Sequence, residues 1–143
     1  MIRRSFFSAA LLLAAACAPA ERQDGIDPQG KAFDKVAPGE DVTLTGTEPF
    51  WTLRIAGDDA TWTTPENQPG VRFAAARFAG NNGLGFSGTL GGEPLTATLT
   101  PGTCSDGMSD RRYPYVATVA WKGTTYKGCG HTSAQPFTDS QPQ

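Results

Sequence analysis

The sequence predicts an all-β domain, a small closed or nearly closed antiparallel β-barrel of about eight short strands with one disulfide. Three observations lead there. Apolar and polar residues alternate along short runs, as in Leu95, Ala97 and Leu99 against Thr96, Thr98 and Thr100, which is the period at which a strand turns one face to a core. Turn-forming clusters divide the runs: Gly57-Asp58-Asp59, Gly80-Asn81-Asn82-Gly83, Gly91-Gly92 and Lys122-Gly123. The connections between runs are too short for the crossovers that parallel strands need, so sequence neighbours pair antiparallel. A flat sheet of that many strands leaves its edges open to other chains, and closing into a barrel or folding into a sandwich removes them.

The elements follow in order. Val42 to Thr45 alternates, and Trp51, Leu53 and Ile55 share one face with Thr52 and Arg54 on the other. Ala60 to Thr64 places Trp62 inward, and Pro65 to Gly70 is a loop. Val71 to Phe78 contains Ala74-Ala75-Ala76, which suits a helix, but its short length and the glycines that follow favour a strand. Leu84 to Leu90 and Pro94 to Thr100 are strands, and Pro101 to Arg112 is a loop. Tyr113 to Trp121 is the longest predicted strand, with Tyr115, Ala117, Val119 and Trp121 on one face, and Thr124 to Gly128 is the last.

Residues 1–16 form a targeting segment to be excluded from the fold. Arg3 and Arg4 precede an apolar run from Phe6 to Ala16, far shorter than the ~20 residues of a membrane-spanning helix. The run ends in Ala14-Ala15-Ala16-Cys17, which resembles the bacterial lipobox, where small residues precede a cysteine that receives a diacylglycerol thioether. Ala14 stands where that pattern has a larger apolar residue. Ala18 follows instead of the Asp that resembles an inner-membrane retention signal, so the expected location is the periplasmic face of the outer membrane. Residues 17–40 are polar, broken by Pro19, Pro28 and Pro38, and read as a flexible tether. Residues 41–134 hold the barrel, and residues 135–143 a polar tail.

The chain has 143 residues and three cysteines. With Cys17 lipidated, Cys104 and Cys129 remain as a pair in an oxidising compartment, where disulfides persist. Closing the loop between them stabilises the fold by roughly 3 kcal/mol in the chain-entropy model. No Cys-x-x-Cys is present, and no metal or cofactor site is expected. The formal net charge is −2 with no basic patch, which argues against a nucleic-acid partner.

Two segments carry the candidate binding residues. In Gly46-Thr47-Glu48-Pro49-Phe50-Trp51, the successive residues Phe50 and Trp51 point to opposite faces. Trp51 is core, and Phe50 either caps a barrel end or shows an apolar patch to a partner. In Cys104 to Pro114, Ser105, Asp106, Ser109 and Asp110 suit hydrogen bonds to nearby backbone, which organise a tight loop. Arg111 and Arg112 suit pairing with Asp106 or Asp110, or bidentate recognition of a partner's carboxylate. A rigid exposed loop is where binding residues tend to sit. No catalytic constellation is read: Ser105 and Ser109 have no base at a readable spacing, and the lone histidine, His131, lacks a group to orient it. The Asp-Gly-Met-Ser-Asp run departs from the alternating oxygen ligands of a calcium loop.

Gly46-x-Glu48-Pro49-Phe50-Trp51, Cys104-x-Asp106-Gly107-Met108-Ser109-Asp110-x-x-Tyr113-Pro114 and Gly128-Cys129-Gly130 together resemble an uncharacterised family of bacterial envelope lipoproteins. The resemblance covers about Val42 to Gly130 and implies a location without an activity. The architecture is more loosely similar to the membrane-bound inhibitors of c-type lysozyme, lipoproteins with a small disulfide-stapled barrel. The expected function is therefore a non-enzymatic binding module of the envelope, with an inhibitor of a cell-wall hydrolase such as lysozyme as a second reading and a hydrolase using Asp106, Asp110 or His131 as a third.

The lipobox-like run makes Cys17→Ser a direct test of the anchor. Fractionation should find the variant released from the membrane or retained as unprocessed precursor. Normal processing with unchanged membrane partition would refute lipidation, since stable anchoring takes more than one acyl chain.

Overall fold

In the computed structural model, which describes residues 30–139, the alternation along each run becomes the inside and outside of a barrel. The strands are β1 Val42–Thr47, β2 Phe50–Ala56, β3 Asp59–Thr64, β4 Asn67–Ala79, β5 Leu84–Leu90, β6 Glu93–Cys104, β7 Tyr113–Trp121 and β8 Thr124–Thr132. Each pairs antiparallel with its sequence neighbours, and β1 closes on β8. Leu44, Leu53, Leu95, Leu99, Tyr115 and Val119 are almost wholly buried in the interior. The Ala74-Ala75-Ala76 segment is strand, with Ala75 facing the core.

Several boundaries differ from those expected. The longest strand is β4 with 13 residues, not β7 with 9. Residues 68–70, expected as loop, lie within β4 at a register shift opposite the Trp62–Thr64 segment. Pro69 therefore withholds an N–H where no regular ladder bond is made, the kind of site at which strands tolerate proline. Strand β6 runs past Pro101 through a second irregularity to Cys104, and β8 continues through Cys129 to Thr132.

Closure needs a close approach at the seam between β1 and β8. A Cβ on Gly128 would lie 2.0 Å from the Thr45 carbonyl oxygen, and one on Gly130 would lie 2.3 Å from the Leu99 side chain. Gly130 pairs with Leu44 and Tyr115, both interior, so its neighbours Cys129 and His131 face outward.

The two barrel ends differ. The connections at residues 57–58 and 80–83 mark one end, and those at 48–49, 65–66, 91–92 and 122–123 the other. The chain before β1 closes the first end. Phe33 and Val36 are buried in the same core cluster as the barrel interior, and Phe33 packs edge-on against Tyr115 at 6.4 Å between ring centroids. The Phe33 N–H donates to Gly80 O at 2.7 Å, and Arg77 Nη2 donates to Val36 O at 2.8 Å. Residues 33–36, expected as part of the tether, are thus docked, because two apolar side chains amid polar neighbours suffice to hold them, while residues 17–29 of that expected tether lie outside the described residues. Glu40 joins this segment to the chain after β8: its carboxylate accepts from the Ala37 and Ala134 amides. Those amides and the Thr132 hydroxyl, the larger influence, hold its carboxyl below the usual range. Residues 135–139, expected as loose tail, also dock, with Gln135 Nε2 donating to Lys35 O at 2.8 Å and Thr138 bridging to Arg112. Residues 1–16, Cys17 and the last four residues of the tail lie outside the described residues.

Phe33→Ala should lower stability by about 3 kcal/mol, the usual cost of emptying a buried aromatic site. Thermal unfolding reads this directly. A melting temperature unchanged in Phe33→Ala and in Val36→Ala would show that the segment is tether after all.

Candidate functional site

The segment from Cys104 to Arg112 forms a strap on the outer wall of the barrel. Cys129 faces outward yet is 1 % exposed, because the strap covers it: Cys104 and Cys129 form a disulfide across 5.6 Å between Cα atoms. From there the strap reaches the end of β1, where the Thr47 hydroxyl donates to Asp106 O at 3.1 Å. Asp106 organises the turn. Its Oδ1 accepts from the Met108 and Ser109 amides at 3.0 and 2.8 Å, and its Oδ2 from the Ser109 hydroxyl at 2.7 Å and the Tyr113 hydroxyl at 3.3 Å. Gly107 holds φ of +72°, a conformation that glycine adopts without steric cost. The Ser109 hydroxyl and the two amides keep the Asp106 carboxyl ionised down to about 2. Ser105 Oγ accepts from the Gly107 amide, and Ser109 Oγ also accepts from the Arg111 amide.

Three segments far apart in sequence meet here. A groove of about 260 Å³ is lined by Gly46 and Thr47 of the first, Cys104 to Asp106 of the second, and Gly128 and Cys129 of the third, with Lys127 beside them. These are the three segments whose motifs stand out in the sequence. The strap's tip continues beside Glu48, so that Met108, 67 % exposed, stands near the turn that leads to Phe50, 50 % exposed.

Arg111 pairs beyond the strap rather than with Asp106. Arg111 Nε binds Asp139 at 3.3 Å, and its guanidinium lies over the Phe137 ring at 4.4 Å. Asp106 is already occupied by hydroxyls and amides. Arg112 Nη1 donates to the Arg111 carbonyl. Phe137 packs on both Tyr113 and His131, so Arg111 clasps the segment after β8 onto the wall. No apolar alternation surrounds Phe137, which is why sequence reasoning missed it.

Of the residues a hydrolase would use, Ser109 and Asp106 are bonded to each other, the Ser109 hydroxyl donating to the Asp106 carboxylate. Burial, and secondarily the Arg111 charge, push the His131 imidazole below its ordinary pKa, and its Nδ1 is buried with no partner among the described residues. An ionised Asp106 holds no proton to give at neutral pH.

Phe50 belongs to a second feature, the open mouth of the barrel. Trp51 and Trp62 stack at 5.3 Å with 10° between planes, and Tyr126 meets Trp62 edge-on at 5.3 Å. Trp121, tilted 5.7 Å from Trp62, donates its indole N–H to Leu90 O. A Cβ on Gly46 would fall 2.1 Å from Trp51 Nε1, so only glycine lets this indole lie flat on β1. Sequence alternation places the three tryptophans inside, but which barrel end they share with Tyr126 depends on strand register.

No family model, curated protein or solved structure matches the chain.

The depressed Asp106 pKa makes the strap acid-sensitive. A carboxylate whose folded pKa is lowered contributes stability above its unfolded value of 3.8 and loses it as pH falls through about 2. Amide exchange at Met108 and Ser109 should stay slow above pH 4 and accelerate below it, and Asp106→Asn should remove that dependence. Exchange in the native strap that shows no such acid step would refute the hub role of Asp106.

Proposed function

We propose that the protein is a non-enzymatic binding module of the cell envelope, exported and lipid-anchored through Cys17, whose recognition edge is formed by the strap and the Phe50 turn. One observation carries the reading. The strap's hydroxyls and the Asp106 carboxylate are spent on its own backbone and on Tyr113, while Met108 and Phe50 remain exposed on two turns that the Thr47–Asp106 bond ties together. A loop pinned by a disulfide, with its polar groups satisfied, loses little conformational entropy on docking, and that favours binding. Exposed apolar side chains on such a rigid edge are the type that anchor protein interfaces. The described chain enters the barrel at the end opposite the Phe50 turn, an arrangement that suits an anchor on one side and a partner on the other.

The form of the edge also suits a protein that blocks a hydrolase cleft, and the same experiment separates the two. The lipidated protein is captured from native envelope by cross-linking, with and without added lysozyme, alongside Phe50→Ser and Met108→Ser. A partner retained by the native chain and lost in both variants at unchanged melting temperature supports the recognition edge. Retention of lysozyme with loss of its activity assigns the partner as a hydrolase. Capture indifferent to both substitutions, or an envelope-hydrolysing activity abolished by Ser109→Ala, would overturn the proposal.

A further inference from the structure

The aromatic mouth has the makings of a ligand site that the strap does not share, since no strap residue lines it. Its cavity of about 300 Å³ lies at the small end of the range for ligand pockets. Trp51 and Trp62 form the floor, and Trp121, Tyr126 and Phe50 stand around it. Trp51 and Trp62 are nearly buried and stacked on each other, so the rings that stand free beside the cavity are the partly exposed Trp121, Tyr126 and Phe50, and an aromatic face carries partial negative charge. One carboxylate, that of Glu66, borders the cavity. The chain itself shows what such a ring face attracts: Lys122 Nζ lies over the Trp121 ring at 4.6 Å from its centroid. Lys122 holds φ of +50° and Gly123 φ of +73°, the pair of left-handed conformations typical of a two-residue hairpin turn. That turn fixes Lys122 beside the aromatic wall.

From this geometry we propose that the mouth binds a small organic cation bearing a quaternary ammonium group, held by the aromatic faces with Glu66 as counter-charge, and that Lys122 competes for the Trp121 face. A methylated ammonium fits the site better than an ion such as sodium. It sheds little hydration, presents apolar methyl groups to the rings and still carries the charge that the ring quadrupole and carboxylate attract. The mouth opens at the barrel end opposite the one where the described chain begins. With the chain anchored through Cys17 as proposed above, that placement favours a freely diffusing cation over a membrane headgroup.

The chain has three tryptophans, and all three line the mouth, so intrinsic fluorescence reports on this site alone. The full mature chain is titrated with choline chloride against sodium chloride of equal ionic strength. A parallel titration uses 3,3-dimethyl-1-butanol, the uncharged isostere. Choline should give a saturable change that sodium does not. Glu66→Gln should weaken it about two- to fivefold, the scale of one exposed charge pair. Lys122→Asn keeps a residue that accepts the left-handed turn and should tighten binding by about two- to fivefold, the scale of one exposed cation–π contact. An equal response to the alcohol, no saturable response to choline, an unchanged Glu66→Gln, or a response confined to phosphatidylcholine vesicles would overturn the proposal. No gain in Lys122→Asn would overturn the competition assigned to that side chain.

Discussion

The close approach of β1 to β8 is the constraint on which the rest of the molecule depends. Seven of the strand pairings join sequence neighbours, six through short turns and β6 to β7 through the strap, and such local pairings form with little loop-closure entropy. The eighth joins the first strand to the last and must be made across the whole barrel. Gly128 and Gly130 make room for it: one admits the Thr45 carbonyl, the other the side chains of Leu44 and Leu99. Between them stands Cys129, turned to the opposite face by the strand's period of two, and there it takes the disulfide. The seam and the strap's attachment therefore occupy the same three residues.

That coincidence explains the division of the surface. The strap lies on the seam, its Asp106 carbonyl accepting from Thr47 at the end of β1, so it reinforces closure while gaining a rigid base. Below it, Tyr113, His131 and Phe137 form a small ring cluster separate from the barrel core, clasped by Arg111. One barrel end is stopped by Phe33 and Val36, and the other is lined by tryptophans and left open. The hydroxyls and the Asp106 carboxylate of the strap are used to hold its own turn, and the seam gives that turn its rigid base.

Much of this was legible in the residues. Strand alternation at Leu95 to Thr100, the turn clusters and the pairing of Cys104 with Cys129 rest on local periodicity or on counting, and each is present in the structure. The strap's internal order followed from the local hydrogen-bonding habits of Ser105, Asp106 and Ser109. What escaped depended on tertiary placement. Phe33 and Val36 stand out as the apolar residues of a proline-interrupted polar stretch, and docking is the less favoured reading of that stretch, since no period there announces a buried face. Arg111 turns to Asp139 because the chain after β8 folds back, and no spacing announces that. Trp51, Trp62 and Trp121 each read as strand residues with a buried face, whereas their assembly with Tyr126 into one mouth is set by shear and register across four strands.

The most direct test of the seam is Gly128→Ala, which places a methyl carbon against the Thr45 carbonyl and leaves Cys129 untouched. Amide exchange resolved by residue is the measurement. If the seam supports the strap, protection falls together along β1, along β8 and at Met108 and Ser109, while β3 to β5 keep theirs. Loss of protection in β1 and β8 with the strap unaffected, or full protection everywhere, would contradict that dependence.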